Sequence, residues 1–70
     1  MIRQVYQNIQ EKRLEKNFTQ EYMADQLSIS QTHYSKIERG IKNITLERFI
    51  KIGEILEVDP KDLFDPLSFD

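Results

Sequence analysis

The sequence predicts an all-α fold, a compact bundle of five short helices. Three observations lead there. Apolar residues recur at steps of three and four, the spacing that gathers side chains on one face of a helix. Nothing alternates like a strand for long, and β-hairpin dipeptides such as Asn-Gly are absent. Thr19, Ser30, Thr45 and Asp59 each precede a helical run, where a side-chain oxygen can accept a backbone N–H left unpaired at a helix start.

Ile2, Val5, Tyr6, Ile9 and Arg13 share one face of the first helix. Asn17 can stop it, because Asn tolerates the left-handed conformation that follows a helix C-terminus. Thr19 caps the second helix, with Met23, Ala24 and Leu27 as its apolar face. Phe18, just before the cap, is placed to pack against Met23 as a hydrophobic staple. That helix stops near Leu27-Ser28, and Ser30 caps a third, so the connection is short. The third helix runs from Gln31 to near Arg39, with Tyr34 and Ile37 inward and Gly40 as its left-handed terminator. Ile41–Ile44 is a connector. Thr45 caps a fourth helix with apolar positions Leu46, Phe49, Ile52 and Leu56. Gly53 within it costs about 1 kcal/mol against Ala, which points to close packing. Asp59 caps the fifth helix, Pro60 takes its first position and Asp62 its first turn, with Leu63 and Phe64 apolar. Asp65-Pro66 interrupts it. Residues 1–65 therefore read as one domain and 66–70 as a short C-terminal tail.

Composition bounds what such a domain can do. Of 70 residues, 21 are Ile, Leu, Val or Phe, enough to fold but only around a small core. A chain this short buries only about 60% of its unfolded surface, so a partner subunit would help. There is no cysteine and one histidine, His33, so no disulfide, thiolate site or His-based zinc site is expected, and no metal or other cofactor. No apolar run is long enough to span a membrane, and the N-terminus lacks a signal-peptide pattern. A cytoplasmic location and a non-enzymatic role follow as expectations. The net charge of −2 hides an asymmetry: residues 1–51 hold nine Lys/Arg and six Asp/Glu, residues 52–70 one Lys and six Asp/Glu. One part of the surface can face a polyanion while the other end stays acidic.

The informative constellation lies between Thr19 and Gly40. Two helices joined by a tight turn of three to four residues cross steeply, and the second can enter the DNA major groove. With Tyr34 and Ile37 inward, Gln31, Thr32, Ser35 and Lys36 face outward, and all four can hydrogen-bond.

The segments Thr19-Gln20-Glu21-Tyr22-Met23-Ala24 and Ser30-Gln31-Thr32-His33-Tyr34-Ser35-Lys36-Ile37-Glu38-Arg39-Gly40 resemble the phage repressor/Cro-type helix-turn-helix family, also called the XRE family. The resemblance continues through Leu46, Ile52, Leu56, Val58 and Leu63-Phe64. It implies a lambda-repressor-like bundle in which helices 2 and 3 form the helix-turn-helix. It also implies roles. Gln31 and Thr32 are the first base-reading positions: a Gln amide suits adenine N6/N7 and a Thr methyl suits thymine. Lys36 is a further base reader, with guanine O6/N7 as its natural target. Gln20, Ser35, Asn43 and Lys42 contact DNA phosphate, Gln20 also bracing the third helix, although an extra cap of helix 2 would explain that glutamine as well. Arg13 and Glu38 match the family's structural ion pair. His33, between the readers, either grazes the DNA backbone or is merely exposed. Three features depart from the family's pattern. Ser28 stands where the helix 2–3 turn usually carries Gly or Asn, Glu57 replaces the Gly before the last short helix, and Tyr22 leaves an aromatic in a commonly polar position.

The resulting expectation is a sequence-specific double-stranded DNA-binding transcription regulator, a repressor acting as a homodimer on a palindromic operator. The alternative is a protein-interaction module of the same fold, such as an antitoxin or co-regulator with weak DNA binding, which the acidic balance favours. Leu67 and Phe69 either fray or join a dimer surface. The sequence leaves open the operator, the regulated genes, whether the outcome is repression or activation, and whether the context is phage, plasmid, restriction control or antitoxin.

Overall fold

The computed structural model describes residues 2–64, and side chains from Gln4 onward. The expectations for the Ile2 side chain, for Asp65-Pro66 and for Leu67 and Phe69 lie outside the described residues. Four α-helices follow one another: α1 (Ile2–Glu15), α2 (Gln20–Leu27), α3 (Gln31–Glu38) and α4 (Leu46–Leu56). The expected fifth helix is a 3₁₀ turn, Pro60–Leu63. Asp59 caps it by accepting from the Lys61 N–H, and the Asp62 N–H reaches back only three residues, to the Asp59 carbonyl at 2.8 Å. Among the described residues there is no strand.

All four α-helices end in the same way. Asn17, Ser28, Gly40 and Glu57 sit at φ 60°, 58°, 74° and 59°. In each case the next N–H folds back five residues: Phe18 to Arg13, Ile29 to Ala24, Ile41 to Lys36 and Val58 to Gly53, at 2.9–3.1 Å. This closure satisfies carbonyls that a helix end leaves bare. Ser28 and Glu57, the two departures from a glycine pattern, thus adopt the left-handed geometry that glycine would supply, at a steric cost of their own.

The core gathers Val5, Tyr6 and Ile9 of α1, Met23 and Ala24 of α2, Tyr34 and Ile37 of α3, Phe49, Ile52 and Leu56 of α4, and Leu63. Gly53 is buried, and a Cβ there would lie 3.2 Å from the Val58 carbonyl and 3.3 Å from Pro60 Cγ. Its missing side chain is what lets the chain turn back tightly on α4. Asn8, also buried, donates from Nδ2 to the Leu63 carbonyl at 2.8 Å and accepts from Gln4, tying the 3₁₀ turn to α1.

Two expected core residues are not in the core. Leu46, in the first turn of α4, is 73% exposed, and Phe64 is 49% exposed. Both lie at element ends, past the reach of the neighbouring helices. The Phe64 ring leans on Phe49 with centroids 4.9 Å apart. The aromatic partner of Phe18 is Tyr22, at 4.5 Å. Met23, the partner expected from the staple pattern, is fully buried in the core.

Candidate nucleic-acid interface

Local chemistry sets the helix-turn-helix. The Thr19 hydroxyl accepts from the Tyr22 N–H at 2.9 Å and the Ser30 hydroxyl from the His33 N–H at 3.0 Å. These caps start α2 and α3 on either side of a three-residue connection, Ser28 to Ser30. Tyr34 and Ile37 are fully buried, which locks the rotation of α3 about its axis. Gln31 and Thr32 are consequently exposed, with Ser35 and Lys36 half-buried at the edges of the same face.

An open groove brings most of the sequence-predicted residues together. It is lined by Gln20 from the start of α2, Gln31, Thr32 and Ser35 from α3, and Arg39 at the end of α3. Amide, hydroxyl and guanidinium groups converge there, a set able to hydrogen-bond both base edges and phosphate oxygens. Lys36, Lys42 and Asn43 lie outside this groove. Lys42 and Asn43 are exposed on the connector after α3, and Asn43 borders a separate, apolar groove with Val5, Tyr6, Leu46, Phe49 and Phe64.

Behind the polar groove sits a buried polar hub. Arg13 and Glu38 form the expected ion pair as a fork: Nε donates to Oε2 at 2.7 Å and Nη2 to Oε1 at 3.2 Å. Arg13 Nη1 also donates to the Phe18 carbonyl at 2.8 Å, bracing the α1–α2 corner. Two further donors complete the hub: the bracing of the third helix by Gln20, which the resemblance implied, and a Tyr34 bond that the sequence did not disclose. The Tyr34 hydroxyl donates to Glu38 Oε2 at 2.5 Å, and the Gln20 amide to Oε1 at 3.1 Å. Each carboxylate oxygen thus accepts twice, and the burial is compensated. Burial opposes the Arg13 charge, but the Glu38 hydrogen bond and charge outweigh it and hold the guanidinium pKa above its ordinary value. Burial, then the hydrogen bond to Glu38 and its charge, push the Tyr34 phenol well above the usual range.

Cationic groups border the other side of α3. Desolvation first, then the charges of Lys42, Arg48 and Lys36, lower the pKa of half-buried His33. The side of α3 that carries His33 is therefore bordered by positive charge even though the chain is acidic overall. Arg48, a residue that motif reading did not single out, contributes from the first turn of α4. Its signal in the sequence was only its position three residues after the Thr45 cap.

A capped, tightly joined helix pair with a polar second helix held over a buried core defines a helix-turn-helix domain. The family model described as Helix-turn-helix matches residues 9–63. The chain belongs to this family, in its phage repressor/Cro (XRE) branch, whose members are DNA-binding transcription regulators. It is 42% identical over 60 residues to Control protein C.BamHI of Bacillus amyloliquefaciens, a match covering 84% of this chain and 74% of that protein. It is 43% identical over 47 residues to the cryptic phage CTXphi transcriptional repressor RstR of Vibrio cholerae, covering 67% of this chain and 42% of the repressor. Among the described residues, no helix is long and apolar enough to cross a membrane.

Proposed function

We propose that this chain represses transcription by binding, as a homodimer, to a palindromic operator in double-stranded DNA in the cytoplasm. It works by binding and not by catalysis. The observation that carries this reading is the polar groove in which Gln20, Gln31, Thr32, Ser35 and Arg39 converge on one side of α3. We infer the lambda-repressor-like arrangement of the bundle, with the 3₁₀ turn in the place of a fifth helix. In it α3 enters the major groove, and Gln31, Thr32 and Lys36 read base edges. Gln20 and Ser35 on one side of α3, and Lys42 and Asn43 on the connector, hold backbone phosphates and fix the register. The relatives named as a control protein and a transcriptional repressor support regulation as the purpose.

The test is selection of bound sequences from a random duplex library at about 150 mM salt, where long-range charge steering is damped. Enrichment of a palindrome with half-sites about 34 Å apart is the expected result. Folded protein that enriches nothing would overturn it. A second reading, an interaction module for a protein partner such as a toxin or co-regulator, is favoured by the net charge of −2 and by the exposed Leu46 and Phe64 beside the apolar groove. Replacing Gln31 and Lys36 together by Ala abolishes operator binding under the first reading and leaves partner binding intact under the second.

A further inference from the structure

We propose that Tyr34, although wholly buried, is a positioning residue of the DNA-binding site: through the Glu38 carboxylate it holds the Gln20 amide at the edge of the groove. The inference rests on the reading of Gln20 as a phosphate contact and extends it to a residue that no DNA reaches.

The geometry is a relay across three helices. Tyr34 and Glu38 are one turn apart on α3, Arg13 comes from α1 and Gln20 from α2. The terminal torsion of a Glu side chain is broad, so neighbours decide where its two oxygens point. Here Oε2 is pinned by two short bonds, from Tyr34 at 2.5 Å and Arg13 Nε at 2.7 Å. Oε1 receives two longer ones, from Arg13 Nη2 at 3.2 Å and Gln20 Nε2 at 3.1 Å. The Arg13 fork is lopsided, and the Tyr34 hydroxyl is what holds it so. Without that hydroxyl the carboxylate is free to rock into a symmetric fork with Arg13, the preferred bidentate form. The Gln20 bond, already near the long end of the usual range, then lengthens and loosens. Gln20 uses one amide hydrogen on Glu38. The other hydrogen and the carbonyl oxygen remain to face the groove, so their direction is set by the bond to Glu38.

Two measurements on Tyr34→Phe test this, and neither needs the operator. The first is the ¹⁵N relaxation of the Gln20 side-chain amide without DNA. The order parameter should stay above the flexible range in the parent protein and fall below about 0.6 in Tyr34→Phe. The second is affinity for a mixed-sequence duplex of about 20 base pairs at low salt, where phosphate contacts dominate. Tyr34→Phe should bind about fivefold more weakly, the worth of one ordinary hydrogen bond. In a Gln20→Ala background it should cause no further loss, whereas a merely structural effect would persist there. An amide that stays rigid in folded Tyr34→Phe overturns the proposal, as does a further affinity loss in the Gln20→Ala background. Should Tyr34→Phe fail to fold, a mobile Gln20 amide in the parent protein overturns it without any variant. If the amide loosens but Gln20→Ala binds DNA as the parent does, the phosphate reading of Gln20 falls, while Tyr34 stands as the residue that orders it.

Discussion

Arg13 and Glu38, 25 residues apart in sequence, meet as a buried fork with Nε–Oε2 at 2.7 Å and Nη2–Oε1 at 3.2 Å. Removing one partner of such a pair strands the other charge, which costs about 3–5 kcal/mol. A domain of this size holds roughly 4–10 kcal/mol in all. Glu38→Ala should therefore unfold the protein or lower its melting temperature steeply. It would also leave the Tyr34 hydroxyl and the Gln20 amide without their acceptor. An unchanged melting temperature would show that the pair is not structural.

The same hub makes stability sensitive to alkali. Burial, then the Glu38 hydrogen bond and charge, hold the folded-state phenol of Tyr34 above its unfolded value, which is about 10. Above that pH the unfolded chain has lost a proton that the folded chain keeps. Stability from this group is complete below about pH 10 and declines as pH rises, by at most about 1.4 kcal/mol per unit. Urea unfolding midpoints between pH 9 and about 11.5 should fall faster for the parent protein than for Tyr34→Phe. Parallel slopes would rule out this linkage.

These features differ in how far the sequence discloses them. Thr19, Ser30 and Thr45 were legible as caps because capping joins residues three apart. Gly40 and Asn17 were legible as terminators because few residues tolerate a positive φ. The Arg13–Glu38 pair was legible only through the family pattern. The bracing of the third helix by Gln20 was likewise legible only through the family pattern, without its acceptor, and the hydrogen bond from Tyr34 to Glu38 was not legible at all. Periodicity says that Tyr34 points inward but not what its hydroxyl meets, and residues 13, 20 and 38 converge only once three helices have packed. Leu46 and Phe64 misled for a related reason: each fits the apolar pattern of its element, but no neighbour covers that end. For Arg48 the Thr45 cap marked only a place in the first turn of α4, since its proximity to α3 is a product of the fold.

Ser28 offers a stabilising change. It closes α2 at φ 58° and ψ 41°, a left-handed conformation that disfavours a side chain. Relief of that strain is worth about 1–2 kcal/mol, and the greater freedom of glycine in the unfolded chain takes back about 0.4–1 kcal/mol. Ser28→Gly should gain roughly 0.5–1 kcal/mol, raising the melting temperature by a few degrees. The turn keeps its geometry, so DNA affinity should not change. A lower melting temperature would mean that Ser28 contributes something glycine cannot replace.

Arg48 should reveal itself by salt and by proton uptake. If it grips a phosphate, Arg48→Ala lowers the slope of log affinity against log salt by about 0.9. The same change should raise the His33 pKa, since the Arg48 charge is one of the causes that lower it. In the free protein the depressed pKa means that the folded chain binds fewer protons than the unfolded one near pH 6. The contribution of His33 to stability therefore falls as pH drops through about 6.5. Docked phosphates would raise the His33 pKa, so DNA binding takes up a proton and strengthens as pH falls. An NMR titration of the single histidine with and without duplex reads both shifts, and an unmoved midpoint on DNA binding would place the phosphates elsewhere.

The proposed homodimer can be tested at Leu46, which is 73% exposed beside the apolar groove of Val5, Tyr6, Phe49 and Phe64. Ile50, one turn further along α4, is 43% exposed and extends the same side. The groove shares no residue with the polar one at α3, so two copies joined here would leave both polar grooves free, while Asn43, a proposed phosphate contact, would lie along the seam. A side chain this exposed contributes little to the fold, and Leu46→Glu should change monomer stability by no more than about 0.5 kcal/mol. In a two-fold interface the change counts twice. Each lost leucine burial is worth about 1.5–3 kcal/mol, so the dimer constant should weaken on the order of a hundredfold or more. Sedimentation equilibrium without DNA measures this directly. Operator binding should weaken alongside it, because each half-site would then be held by a single domain, whereas an unaltered dimer mass in Leu46→Glu would move the interface to another face of the bundle.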